Sequence, residues 1–141
     1  MRWYSVDVET ANSDQSTICQ IGVGIFEDRE LIDTWKSYVD PEDYFHWRNI
    51  RIHGITEEDV QGQPIFPDVY PVLRQMFKNN IVVHHSHFDR TAFRKVFKRY
   101  RLGKGLVNYI PYHSPPIALF AFCSLFQFAG SSIDRSSFFL K

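Results

Sequence analysis

The stretch Ser5-Val6-Asp7-Val8-Glu9-Thr10 constrains this chain more than any other. It reads as a short apolar strand that ends in two acids. Val6 and Val8 point to one face of such a strand, so Asp7 and Glu9 both point to the other. Two like charges on one face of a buried strand repel, and the arrangement is costly unless a cation lies between them. The pattern therefore predicts one of two things: a metal site, or a strand running out into solvent, where acids are harmless.

Composition narrows the classes without choosing between those readings. At 141 residues the chain is expected to form one domain with a real core. Sixteen basic and sixteen acidic residues cancel, so any nucleic-acid binding must come from a local patch. Cys19 and Cys123 are the two cysteines, without metal-ligand spacing, which suits a reducing cytosol. The N-terminus enters the first strand with no charged-then-apolar leader. The longest apolar run, Ile117 to Phe126, falls short of the roughly 20 residues of a membrane helix. A cytoplasmic protein with no membrane partner is expected.

Hydrophobic periodicity places the elements. Trp3 to Glu9 is the first strand, and the small polar stretch Ala11 to Ser16 is a loop directly after the acids. Ile21, Val23 and Ile25 alternate within Ile18 to Phe26, a second strand whose Gly22 and Gly24 permit close approach on the other face. Leu31 to Val39 returns as a third strand, antiparallel to the second because the turn between them is so short. Asp40-Pro41 ends it, and Glu42 to Ile52 carries no assignable period.

Thr56 is expected to cap a short helix, with Asp59 at the reciprocal position of a capping box. Pro67 to Phe77 reads as a helix with Val69, Val72, Leu73 and Met76 on its apolar face, and Pro71 fits only within a first turn. Ile81 to His85 is a short buried strand. Ser86 then caps a helix with Phe93, Val96, Phe97 and Tyr100 in its apolar stripe, ended by Gly103 and Gly105. Its Arg and Lys residues form a solvated face or a phosphate-facing patch. From about Ile110 the text becomes apolar, then rich in Ser and Phe, with three charged residues, Asp134, Arg135 and Lys141.

A third acid, Asp89, stands where the late strand meets its helix. Ser86-His87-Phe88-Asp89 is itself a capping box, which gives Asp89 a purely structural task. If the late strand pairs parallel to the first, however, Asp89 also comes near Asp7 and Glu9, where open α/β sheets gather ligands. Three converging carboxylates suit Mg²⁺ or Mn²⁺. Two such ions can activate a water and stabilise the leaving oxygen of a phosphodiester.

Four segments in order carry a resemblance: Val6 to Thr10, Ile18 to Gly22, Ile52 to Thr56, and His84 to Asp89. Together they resemble the DEDD-type 3′–5′ exonucleases, in the branch of the proofreading epsilon subunit of bacterial DNA polymerase III. The resemblance covers residues 3 to about 105. It implies an α/β, ribonuclease H-like fold: a central mixed sheet of about five strands flanked by helices, with its C-terminal part incomplete here. It also implies hydrolysis of phosphodiester bonds at a DNA or RNA 3′ end, two ions of Mg²⁺ or Mn²⁺, and a polymerase or other replication or repair protein as partner. By position, Asp7, Glu9 and Asp89 would be the catalytic, metal-holding residues. Thr10, Ala11, His53, Thr56, His84 and Phe88 would border the substrate.

The match stops beyond Asp89. The family's third motif, a histidine five residues ahead of an aspartate, has no counterpart: Ala129 precedes Asp134 by five, and Ala118 follows His113 by five. The tyrosine version is absent too, since Gly130 stands four residues before Asp134. The missing pair is a general base and a metal ligand, and a positioned base alone is worth ~10²–10⁴-fold. His84, His85 and His87 lie on the strand and helix start, not across the site, and are not expected to replace it. The chain thus reads as a domain over residues 1–110 with impaired chemistry, followed at 111–141 by an out-of-frame, replaced or truncated tail. The alternative is a catalytically inactive module that binds nucleic acid or protein.

Overall fold

In a computed structural model, residues 1–84 and 86–103 are described in full and 109–111 as backbone. A five-stranded sheet has the order β3-β2-β1-β4-β5. Its strands are β1 (Arg2–Thr10), β2 (Ile18–Glu27), β3 (Glu30–Tyr38), β4 (Ile81–His84) and β5 (Tyr109–Pro111). The first three form an antiparallel meander, and β4 and β5 add in parallel on the other side of β1. This is the expected mixed sheet, with β1 at its centre. The tail expected from residue 111 lies outside the described residues except for Pro111, whose backbone closes β5.

The helices are α1 (Trp47–His53), α2 (Glu57–Val60), α3 (Phe66–Phe77) and α4 (His87–Arg99). Tyr4, Val6 and Val8 of β1 and Ile21 and Val23 of β2 join one core with α3 and α4. Phe66 meets Phe93 and Phe97 edge-on across the two helices. Their i, i+3, i+4 spacing sets these faces, which read Phe66, Val69, Leu73, Phe77 in α3 and Asp89, Ala92, Phe93, Val96, Phe97 in α4.

Three helix expectations are corrected. Val72 is 42 % exposed, because the buried stripe of α3 starts one residue earlier, at Phe66, and rotates Val72 outward. Pro71 sits in the second turn rather than the first. An interior proline costs about 3 kcal/mol or more. Burying the four apolar side chains of α3 is worth about 1.5–3 kcal/mol each, which exceeds that penalty. Finally, α4 stops at Arg99, ahead of Gly103, because Tyr100 is the cap and Arg101 takes a left-handed φ of 53°. The helix α1 falls within the stretch without a period; it buries none of its residues, so no apolar stripe marks it.

Candidate active site

The register of β1 explains where the acids lie. Val6 pairs with His84, the last residue of β4, so Asp7 and Glu9 extend past the C-terminal end of β4 just where α4 begins. On the other side Asp7 pairs with Gly22 and Glu9 with Gln20. A bulge between Glu9 and Thr10 then turns the strand away.

Asp89 caps its helix and also lies beside Asp7. It is the N3 residue of α4, where Oδ2 accepts from the Ser86 backbone N–H (2.9 Å) and hydroxyl (3.2 Å). Its Oδ1 accepts from the Val8 backbone N–H at 3.2 Å, and the side chain is only 1 % exposed. The capping box therefore holds the carboxylate against β1 beside Asp7. Burial pushes the Asp7 carboxyl well above the usual carboxylate range. The charge of Asp89, a hydrogen bond with its side chain and the charge of Glu9 push the same way, against the Val8 N–H.

This donor set suits a hard divalent cation, which would offset the burial that chiefly raises Asp7 and the repulsion that adds to it. Among the described residues, no group of three or more His, Cys, Asp or Glu side chains is already gathered as a metal cluster. Asp7 and Asp89 are in contact, whereas Glu9 acts on Asp7 as a neighbouring charge.

The loop after β1 is fixed by residues that the motifs did not single out. Asn49 of α1 donates through Nδ2 to the Thr10 carbonyl (2.9 Å) and the Asn12 carbonyl (3.2 Å). Asn12 donates through Nδ2 to the Tyr44 carbonyl (2.9 Å), and its Oδ1 accepts from the Asp14 N–H. Asp14 Oδ1 accepts in turn from Ser16 N–H, and that bond holds the Asp14 carboxyl below its ordinary value. Consecutive Asx turns in a small polar loop are the sequence signal that could have marked Asn12 and Asp14.

His53, at the end of α1, is positioned through both ring nitrogens. Nδ1 accepts from the Ile55 N–H at 3.0 Å, so the proton belongs on Nε2, which faces the Thr10 carbonyl at 3.0 Å. Thr10 is buried with its hydroxyl donating to the Asn12 carbonyl, and Ala11 is wholly buried. The Thr56 hydroxyl donates to Asp59 Oδ2 at 3.0 Å in the cap of α2. His84 is buried at the end of β4, and burial lowers its pKa. Phe88, by contrast, is 39 % exposed on the first turn of α4, beside Asp89. A separate acidic concavity of about 480 Å³ is lined by Asp40, Glu42, Asp43, Glu57 and Glu58 over Phe45 and Val60, and contains none of the three candidate acids.

The chain matches the family described as Exonuclease (RNase_T) over residues 5–112. It is similar to the PolC-type DNA polymerase III of Clostridium perfringens (strain 13 / Type A), with 30 % identity over 105 residues, 72 % of this chain and 7 % of that protein. The corresponding protein of Thermotoga petrophila is 27 % identical over 97 residues, again 7 % of its length. The chain thus spans about 7 % of the curated relatives it matches.

Solved structures share the fold. The nuclease domain of 3′hExo, a DEDDh family member bound to rAMP, aligns with a TM-score of 0.62 at 20 % identity, over 72 % of this chain and 60 % of that one. Exonuclease X in complex with 5′-overhanging duplex DNA covers 92 % of this chain and 94 % of its own, at 0.58 and 19 %. E. coli exonuclease I with a dT13 oligonucleotide gives 0.61 at 17 %, over 70 % and 24 %. The sheet and its flanking helices are those of the ribonuclease H-like fold. Among the described residues no helix is long and apolar enough to cross a membrane. Matched from residue 5 to residue 112, the chain belongs to the exonuclease (RNase_T) family of nucleases, which generally use divalent metal ions.

Proposed function

We propose that this chain descends from a 3′–5′ exonuclease that hydrolyses phosphodiester bonds at DNA or RNA 3′ ends, with Asp7, Glu9 and Asp89 holding Mg²⁺ or Mn²⁺. The observation that carries this reading is the double use of Asp89, which caps α4 and lies against Val8 and Asp7 at the strand ends. When bound, the ions would supply an activated water and stabilise the leaving oxygen. The protein's own part would be to keep Asp7 and Asp89 in contact, with Glu9 near enough to be drawn in by an ion. Phe88, exposed next to Asp89, offers a ring on which a terminal base can stack. Thr10, Ala11, His53 and Thr56 act here by fixing the loop and caps that border the site, and His84 by filling the end of β4. The likeness to PolC-type polymerases favours a polymerase or other replication protein as partner. Cys19, a buried free thiol among the described residues, suits a reducing compartment such as the cytoplasm.

A second reading is favoured by one specific feature. No His-x-x-x-x-Asp follows Asp89 within the 141 residues, the pair that the family resemblance implies as general base and fourth acid. The domain, residues 1–110 followed by a replaced or out-of-frame tail, is then impaired, and in the limit is a module that binds nucleic acid or protein without cutting.

Mn²⁺-dependent shortening of a 5′-labelled single-stranded oligonucleotide tests the reading, with Asp7→Asn as control. A weak ladder that vanishes in Asp7→Asn is expected. Binding of the oligonucleotide with no ladder would favour the inactive module. Neither binding nor a ladder from folded protein would overturn both.

A further inference from the structure

Gln20 stands out once the acids are placed. It is 2 % exposed, and among the described residues its Nε2 has no hydrogen-bond partner. A buried amide without a partner is rare and destabilising, and such groups persist where a bound state satisfies them. The register gives that bound state an address. Gln20 pairs with Glu9 in the antiparallel β1–β2 ladder, so the two side chains stand side by side on one face with Cβ atoms ~4.5–5.5 Å apart. The next β2 residue on that face is Gly22, opposite Asp7, and it has no side chain. Gln20 is therefore the β2 side chain that flanks the acids. Ser5 Oγ, also buried without a partner, lies on the same face on the other side of Asp7, opposite Gly24. These two atoms lie on either side of the acid pair on that face.

We infer that Gln20 is a positioning residue for Glu9: its Nε2 donates to the Glu9 carboxylate when a divalent cation draws that carboxylate in toward Asp7 and Asp89. The inference rests on the metal-site reading above and adds to it a residue that contacts no ion. An amide donor suits this role, because it stabilises an ionised carboxylate without adding a charge that competes with the cation.

The test is Mn²⁺ binding to the 141-residue chain, followed by calorimetry, together with thermal unfolding in chelator. Gln20→Met keeps the volume and removes the donor. Outer-shell partners of metal ligands are typically worth 10–100-fold in affinity, so Mn²⁺ affinity should fall by about 10-fold or more in Gln20→Met. The metal-free midpoint should stay equal or rise, since an unsatisfied buried amide has been removed. Gln20→Asn, which retains a donor on a shorter stem, should recover part of the affinity. A merely structural glutamine would lower the metal-free midpoint and leave affinity unchanged, and that result overturns the inference. Asp7→Asn separates the two levels of the argument. If the parent binds Mn²⁺, Asp7→Asn does not, and Gln20→Met binds like the parent, the inference alone fails. If the parent does not bind Mn²⁺, the metal-site reading fails and the inference with it.

Discussion

Asp89 Oδ1 accepts a hydrogen bond from the main-chain N–H of Val8, 81 residues away in sequence, while its Oδ2 closes the cap of its own helix. One carboxylate thus ties the first turn of α4 to the central strand and delivers a negative charge to Asp7. Helix start and candidate site are the same piece of structure. Substitutions there should therefore separate into effects on folding and effects on charge.

Asp89→Ala removes the cap and leaves buried donors of Val8 and Ser86 unpaired, so a loss of about 2–3 kcal/mol is expected. Asp89→Asn removes the charge beside Asp7 and keeps one acceptor, but turns an amide N–H toward the Val8 or the Ser86 N–H, so it should recover only part of that loss. Urea unfolding of both variants in chelator measures the difference. Equal losses would mean that the cap contributes nothing beyond charge.

Asp7 contributes a distinct component to the pH dependence of the metal-free domain. Its folded pKa is raised above the ordinary 3.8, mainly by burial and then by Asp89. The folded state therefore holds the proton more tightly than the unfolded chain does. That contribution to stability is complete below the unfolded value, declines as pH rises past it, and is lost above the folded value. In chelator, the change in thermal midpoint between pH 4 and neutrality should shift toward stabilisation in Asp7→Asn relative to the parent, while His84, whose pKa burial lowers, contributes in the opposite sense in both. Equal slopes in parent and variant would contradict the assignment to Asp7.

How far the chain could be read follows from what each element exposes to pattern. The alternation of Val6, Val8, Ile21 and Val23 is a buried face, so β1 and β2 were legible. So was the capping box at Ser86 and Asp89, which also sets Asp89 beside Asp7. In contrast, α1 buries nothing and so writes no period; its contribution is Asn49 and His53, which act on the backbone of Thr10. Val72 was misread because apolar residues also occur on exposed faces. Gln20 was passed over within its own motif, because burial of an amide follows from the register, not from residue type.

His53 gives a check on the loop that borders the site. Its Nδ1 accepts from Ile55 N–H, so a neutral ring with the proton on Nε2 is required. Nitrogen NMR should show that tautomer. His53→Ala should cost about 1–2 kcal/mol and accelerate hydrogen exchange at Ile55. Unchanged exchange there would mean that the ring does not hold the loop.

Gly24→Ala probes the close packing of β1 on β2. A Cβ at this position would lie 2.6 Å from Ser5 Oγ and 2.9 Å from a Phe26 ring carbon, so a loss of about 1–3 kcal/mol is expected. Adding Ser5→Ala should recover part of it. A loss unaffected by the second change would place the strain at Phe26.

The most direct measurement is the anomalous difference density of Mn²⁺ in a crystal of this chain. A peak is expected in coordinating contact with the carboxylates of Asp7 and Glu9, with Asp89 alongside, absent in Asp7→Asn. A peak confined to the acidic concavity of Asp40, Glu42, Asp43, Glu57 and Glu58, or no peak at Asp7 at saturating Mn²⁺, would contradict it.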